Sequence, residues 1–168
     1  MKINVSLRQE VYRDDAINLV KWLRDKEVTK YLNEDKYASE NIENLLNTIN
    51  IPILTHLFNN NGKFQIINNN NKEAIGFVRL VPKGNNAEIV IAIGEKELWG
   101  KGYGKAAIIE SLKQAFFDWR VDEVIAKIRT KNIRSRRAFE SIGFKENKIL
   151  QNEIIYTMSI YEFLKLAA

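Results

Sequence analysis

Apolar and polar residues alternate in the N-terminal segment and again in the middle of the chain. A largely alternating pattern runs through residues 3–11, and strand-like apolar segments follow at 64–67, 74–81 and 87–93. Connectors rich in asparagine and glycine separate the last three segments. We therefore expect these three segments to form an antiparallel meander.

A helical period of three to four residues marks other parts of the chain. It runs through residues 14–23, through the segment after Ser39 and through residues 103–119. Pro52 interrupts or bends the second of these helices. A short fourth helix is predicted over residues 132–143, where a glycine ends it.

The C-terminal part of the chain adds three strand candidates, at residues 121–130, 144–150 and 153–164. The resulting order is β-α-α-β-β-β-α-β-α-β-β. This order predicts an α+β, or mixed α/β, domain. Its central sheet would be largely antiparallel, with a helix after the central strand.

Composition narrows the possible chemistry. The 168 residues fit one domain, and they include no cysteine and one histidine, which excludes thiolate chemistry and multi-histidine metal sites. We expect no metal. No apolar run reaches the roughly 20 residues that span a bilayer, and residues 1–10 lack the apolar core of a signal peptide. We therefore expect a cytoplasmic protein without membrane contact. The net charge of +5 suits a polyphosphate cofactor, whereas the interleaved acidic residues weaken a nucleic-acid interpretation.

The most informative segment is ELWGKGYGKAA, at residues 97–107, between a predicted strand and a predicted helix. Glycines allow positive φ and close backbone approach, and a helix start favours an anion. The P-loop pattern and the dinucleotide fingerprint are both absent. On its own, the segment is either a simple turn or a phosphate-binding loop.

A second segment, NIRSRRAFESIGF at residues 132–144, favours the phosphate-binding interpretation. Together the two segments resemble the GCN5-related N-acetyltransferases. Gly102-Tyr103-Gly104 matches the end of that family's Q/R-x-x-G-x-G/A motif, and Asn132, Ser135 and Gly143-Phe144 match its N-x-x-[SA]…GF segment. Residues 7–32 are similar to the subgroup of ribosomal-protein N-terminal acetyltransferases and related small-amine acetyltransferases.

The resemblance implies a single N-acetyltransferase domain over residues 1–168, with a twisted sheet of six to seven strands flanked by four helices. It implies transfer of an acetyl group from acetyl-CoA, as co-substrate, to a protein N-terminus, a polyamine or a small-molecule amine. A homodimer is common for this fold. Arg136 is a further candidate for neutralising phosphates. The residues implied to bind the coenzyme are Ile91, Ala92, Ile93, Gly100, Lys101, Gly102, Tyr103, Gly104, Lys105, Asn132 and Arg137.

The expected reaction also suggests catalytic residues. A lysine-like acceptor amine has a pKa of about 10.4 and must lose a proton before it attacks. Glu88 is the candidate base, acting through water, and its alternative is an ordinary surface glutamate. A backbone N–H of Ala92 or Ile93 is the candidate oxyanion donor. Ser135 is the candidate proton donor to the thiolate, with Tyr156 as the alternative.

Two residues depart from the family pattern. Trp99 replaces the motif's Gln or Arg, and Phe139 stands where many members carry a tyrosine thought to protonate the leaving thiolate. Phe139 leaves open a catalytically weak acyl-CoA-binding module, and a basic nucleic-acid-binding protein is the third interpretation. His56 is not expected to be catalytic. The acceptor is expected beside the N-terminal helices and their loop, which contain Trp22, Tyr31, Asn33, Glu34, Asp35 and Tyr37.

Overall fold

A seven-stranded sheet forms the centre of the molecule. The structure is a computed structural model that describes residues 2–167, with only the backbone of Ala167. The strands are β1 Ser6–Arg8, β2 Lys63–Asn68, β3 Ala74–Lys83, β4 Asn86–Ile93, β5 Glu123–Arg129, β6 Lys145–Ile149 and β7 Glu153–Ser159. Their spatial order is β1-β2-β3-β4-β5-β7-β6, and every neighbouring pair is antiparallel except β4 and β5. The predicted fold class and the largely antiparallel sheet are confirmed.

Helices pack on both faces of this sheet. They are α1 Arg13–Arg24, α2 Lys26–Thr29, α3 Ala38–Thr48, α4 Thr55–Phe58, α5 Tyr103–Lys113, α6 Ile133–Ile142 and α7 Ile160–Ala167. A 3₁₀ turn covers Lys96–Leu98, and a π-helical turn extends α5. The four predicted helices are α1, α3, α5 and α6. Helix α3 ends at Thr48, so Pro52 lies beyond it and does not bend it. Within residues 2–167, no helix is long and apolar enough to cross a membrane.

The last predicted strand, at residues 153–164, is wrong in its second half. Strand β7 ends at Ser159, and α7 begins at the next residue. The N–H of Glu162 donates to Oγ of Ser159 (3.1 Å), and the N–H of Ser159 donates to Oε1 of Glu162 (3.2 Å). This reciprocal cap satisfies N–H groups at the helix start and favours a helix over a continued strand.

The first strand is also shorter than the predicted segment 3–11. Only Ser6, Leu7 and Arg8 pair with β2. The alternating pattern therefore extends beyond the residues that pair with β2.

Strands β4 and β5 separate after a short parallel contact. Pairing joins Asn86, Ala87 and Glu88 to Glu123, Val124 and Ile125. Between the described residues 89–93 and 126–129, no further pairing occurs. The end of β4 therefore has a backbone edge that β5 does not cover, and this gap positions the site described below.

Two apolar clusters fix the two faces of the sheet. One joins β3, β4, β5 and β7 to helices α5, α6 and α7, and the other joins α1 to β2 and β3. In the second cluster, Trp22 packs directly on Gly94, where an added Cβ would lie 2.2 Å from the indole ring. The indole N–H of Trp22 also donates to Oε1 of Glu95 (3.0 Å). Helix α1 is thereby held against the end of β4.

Candidate functional site

A cleft of about 570 Å³ lies between the end of β4, the glycine loop at residues 99–105, and helix α6. It brings together both segments singled out in the sequence. Lys101, Tyr103 and Glu88 do not line it: Lys101 is exposed, and Tyr103 packs against the core. The predicted site residues that line it are Ile91, Ala92, Ile93, Gly100, Gly102, Gly104, Lys105, Asn132, Ser135 and Arg137.

The glycine loop has the backbone geometry of an anion-binding turn. Gly100 has a φ of +73° and Gly102 a φ of +93°, both in the left-handed region that favours glycine. Gly102 caps α5, which carries no acidic residue in its first turn. The first N–H groups of a helix have no partner within the helix and lie at the positive end of its dipole. The predicted loop geometry is confirmed, and phosphate binding by the loop stays a prediction.

The uncovered edge of β4 forms the second wall of the cleft. Ile91, Ala92 and Ile93 all line the cleft beyond the last residue that pairs with β5. The carbonyl oxygen of Ile93 already accepts a hydrogen bond from Nε1 of Trp99 (2.8 Å). Trp99 therefore ties the glycine loop to the end of β4, and Ile93 retains less capacity to accept from a ligand.

Helix α6 forms the third wall. Asn132 caps this helix, since its Oδ1 accepts a hydrogen bond from the N–H of Ser135 (3.3 Å). The cap uses the carbonyl end of the side chain, so its NH₂ group remains a donor for a ligand. The structural and the functional interpretation of Asn132 are therefore compatible.

The arginines of α6 divide into two groups. Arg136 points away from the cleft: Nε donates to the Tyr156 hydroxyl (3.1 Å), and a terminal nitrogen donates to the carbonyl oxygen of Thr130 (3.0 Å). The expectation that Arg136 neutralises phosphates is thus not supported by its contacts. Arg137 and Arg134 do line the cleft. The sequence analysis missed Arg134, although its place two residues after the Asn132 cap was a usable signal.

Tyr156 lies outside the cleft and is fully buried. Its hydroxyl donates to Oε1 of Glu140 (2.6 Å) and accepts from Arg136. Burial, reinforced by the hydrogen bond to Glu140, raises the pKa of the Tyr156 phenol. The hydrogen bonds of this side chain hold α6 on the sheet. Because Tyr156 does not line the cleft, the alternative that it protonates a thiolate is not supported.

Phe139 does line the cleft and is almost fully buried. Its ring contacts the ring of Phe144 edge-on, with centroids 4.9 Å apart and planes at 88°. The position that many family members fill with a phenol is therefore a packed apolar surface in this protein.

Glu88 lies in a separate cavity of about 160 Å³, in the gap between β4 and β5. One carboxylate oxygen of Glu88 is 3.3 Å from Nζ of Lys127 and 4.0 Å from Nζ of Lys83. Ser135 and Phe139 line both this cavity and the larger cleft, so the two spaces adjoin at these residues.

The N-terminal segment contributes to both spaces. Tyr31 lines both the cleft and the smaller cavity, and Asn33 lines the cavity. Glu34 instead forms an ion pair with Arg79 (2.9 Å). His56 is exposed on α4, away from either space. No cluster of three or more potential metal ligands is found among residues 2–167.

Comparison with known proteins agrees with this geometry. A family model described as an acetyltransferase (GNAT) domain matches residues 5–145. The chain belongs to the GNAT acetyltransferase family. It is 27% identical over 143 residues to the uncharacterized N-acetyltransferase p20 of Bacillus licheniformis, covering 83% of this chain and 78% of that protein.

Two solved structures of amine acetyltransferases share the fold. One is the spermidine N-acetyltransferase of Vibrio cholerae in complex with CoA and spermine, at 20% identity and a TM-score of 0.78, covering 96% of this chain and 98% of that chain. The other is the aminoglycoside acetyltransferase AAC(6')-Ib in complex with coenzyme A, at 15% identity and a TM-score of 0.77, covering 99% and 100%. At these identities the likeness concerns the fold, and membership of the ribosomal-protein subgroup stays a prediction.

Proposed function

We propose that this chain, as one domain over residues 1–168, transfers the acetyl group of acetyl-CoA to a primary amine. The observation that carries the proposal is the cleft itself. It joins an uncovered strand edge, a left-handed glycine loop at a helix start and the Asn132 amide in one continuous space.

The residues of the cleft fit the chemistry of coenzyme A. Gly100 has no atom within 4 Å of an added Cβ, so the space above its backbone is open to a phosphate. Lys105 and Arg137 line the same space and supply positive charge. The edge of β4 and the Asn132 NH₂ group can satisfy the amides of a pantetheine arm, which need hydrogen-bond partners once buried.

The coenzyme supplies an activated acyl group as a thioester. In our proposal the chain's own contribution is proton movement at the junction of the two cavities. Glu88 accepts the proton of the acceptor ammonium through water, and the neutral amine then attacks the thioester carbonyl. A C–N bond forms as the C–S bond breaks, and Ser135 passes its Oγ proton to the leaving sulfur while it regains a proton from the attacking nitrogen or from water. Tyr31 and Asn33 place a polar wall beside the acceptor amine.

The acceptor belongs to the class of primary amines. The two solved relatives act on a polyamine and on aminoglycosides, and both classes present amines to a fold of this type. A protein N-terminus, as the resemblance of residues 7–32 suggests, is the third acceptor class within the same proposal.

A second candidate is coenzyme binding with little turnover. Phe139 favours it, because no phenol stands at this position of the cleft to protonate a leaving thiolate. Both candidates predict that the chain binds acetyl-CoA, but only the transferase predicts acetyl transfer to an amine.

One experiment separates them. Purified chain is titrated with acetyl-CoA by calorimetry and then incubated with polyamines, aminoglycosides and short peptides while free thiol is measured. Binding with amine-dependent thiol release supports the transferase. Binding without release from any amine supports the second candidate, and absence of binding contradicts both.

A further inference from the structure

Arg134 and Trp99 stack on each other at the wall of the cleft. The guanidinium carbon of Arg134 lies 3.6 Å from the centroid of the Trp99 ring, which is direct contact. Arg134 belongs to α6, whereas Trp99 begins the glycine loop, and both residues line the cleft. The stack therefore joins the two walls between which the coenzyme would bind.

Arg134 is also a cation without a counter-ion. Among the residues that the structure describes, no carboxylate forms an ion pair with it. It occupies the first turn of α6, where the helix dipole disfavours positive charge and where no acidic residue is present. Burial lowers the pKa of its guanidinium, so the surroundings do not compensate the charge.

The stack on Trp99 accounts for the packing of this side chain but supplies no counter-ion for its charge. A guanidinium has five N–H donors in a plane and binds phosphate oxygens in pairs. Stacking on an indole fixes the orientation of that plane and leaves the N–H donors along its edge free to bind an anion. An anion in the cleft could therefore be bound by Arg134 from α6 as well as by the glycine loop.

We propose that Arg134 is a phosphate-binding residue and that the phosphate groups of the coenzyme are its counter-ion. Trp99 is its positioning residue: the hydrogen bond to Ile93 fixes the indole, and the indole orients the guanidinium. This assignment rests on the proposed function, and it concerns an arginine that the family motifs do not include. With this assignment, the phosphates have partners on two walls of the cleft, the glycine loop and α6.

The test measures binding by calorimetry, without turnover. Arg134→Gln should raise the Kd for CoA about ten- to hundredfold, which is the usual effect of losing one or two hydrogen bonds to a charged group. The same loss for 3′-dephospho-CoA places the contact at the pyrophosphate, and a smaller loss places it at the 3′-phosphate. Arg134→Lys should recover only part of the affinity, because an ammonium neither stacks flat nor binds in pairs.

The matched control is Lys148→Gln, which removes an exposed positive charge on β6. It should leave the Kd unchanged within twofold. Arg134→Gln removes an unfavourable charge from a helix start and also removes the stack on Trp99, so these two effects oppose each other and the melting temperature should change little. A Kd unchanged by Arg134→Gln, or a loss of affinity explained by a matching loss of stability, would overturn the assignment.

The role of Trp99 has its own readout. Trp99→Leu should weaken CoA binding. Trp99→Phe keeps an aromatic face but loses the hydrogen bond to Ile93, so it should restore only part of the affinity. Trp99→Leu combined with Arg134→Gln should be no weaker than Arg134→Gln alone. Additive losses would overturn the positioning role. If the wild-type chain does not bind CoA, the proposed function and this assignment both fail. If the wild type binds and Arg134→Gln binds equally well, only the assignment fails.

Discussion

The carboxylate of Glu88 lies 3.3 Å from the ammonium nitrogen of Lys127, in the gap that opens between β4 and β5. The pair forms because Glu88 stands opposite Ile125 in the parallel register, which brings the side chain at residue 127 alongside it. The pair therefore places the candidate base in the cavity that adjoins the cleft.

Replacement of Glu88 tests that role. Glu88→Gln should lower kcat about a hundredfold or more, as expected for loss of a general base, and should leave the Kd for CoA unchanged. It should also remove the part of the fall in rate at low pH that protonation of the base produces. The measurement is kcat against pH with a saturating amine.

The control for Glu88→Gln is Lys83→Gln, since Lys83 is half-exposed and 4.0 Å from the carboxylate. It should change kcat by less than threefold, because an ion pair at a solvent-accessible site contributes little. An unchanged rate and pH profile in Glu88→Gln would show that Glu88 is only an ion-pair residue of the sheet.

Gly100 offers a clean test of the glycine loop. Gly100→Ala places a side chain at a φ of +73°, in open space, and should cost about 1 kcal/mol in unfolding free energy. It should also weaken CoA binding, because the Cβ projects into the space proposed for phosphate. Urea unfolding and calorimetry measure the two effects.

Gly84→Ala is the matched control, since Gly84 has a φ of +61°, open surroundings and a place in the turn between β3 and β4. It should cause a similar loss of stability with no change in the Kd for CoA. Equal binding by the two variants would mean that the loop is a turn and not a phosphate site.

Asn132 should have two separable roles. Asn132→Ser retains a capping oxygen for α6 and loses the NH₂ donor, so stability should change little while the Kd for CoA rises. Asn132→Ala should lose both the capping oxygen and the NH₂ donor. It should therefore weaken CoA binding and also lower the unfolding free energy by about 1 kcal/mol. If Asn132→Ser binds CoA as tightly as wild type, Asn132 is a helix cap alone.

Local features of the fold were predictable from the sequence because they depend on neighbouring residues. The glycine loop follows from the φ values that only glycine adopts readily, and the Asn132 cap follows from its place before a helical period. The start of α7 had an equally local signal, the Ser159 and Glu162 cap, which the apolar run through residues 153–164 obscured.

Contacts between distant segments could not be predicted in this way. The stack of Arg134 on Trp99 depends on how α6 packs beside the glycine loop. The burial of Tyr156 against Glu140 depends on the register of β7 with β5. For the same reason, the sequence could not separate Arg136, which supports the fold, from Arg134, which lines the cleft.

Tyr156 should act on stability and not on catalysis. Tyr156→Phe removes hydrogen bonds to Glu140 and Arg136 and should lower the unfolding free energy by about 1 kcal/mol, with kcat unchanged within twofold. A large fall in kcat at unchanged stability would instead indicate a proton donor. Urea unfolding and steady-state kinetics distinguish the two.

The same residue predicts a pH dependence. The folded state raises the pKa of the Tyr156 phenol above its ordinary value of 10.0, so the folded protein keeps this proton to a higher pH than the unfolded chain. The contribution to stability is complete below about pH 10 and is lost as the pH rises through the folded pKa. Wild type should therefore lose more unfolding free energy than Tyr156→Phe between pH 9 and pH 11 (a range of about one unit on either side of the phenol's ordinary value).

The last prediction concerns Ser135 and Phe139, which both line the junction of the two cavities. If Ser135 protonates the leaving sulfur, Ser135→Ala should lower kcat about tenfold or more without changing the Kd for CoA. Phe139→Tyr adds a phenol at the position where many family members carry one, and it should restore part of the lost rate in a Ser135→Ala background. Thiol release at saturating acetyl-CoA measures both effects. Equal rates in wild type and Ser135→Ala would show that the thiolate leaves without a proton from this serine.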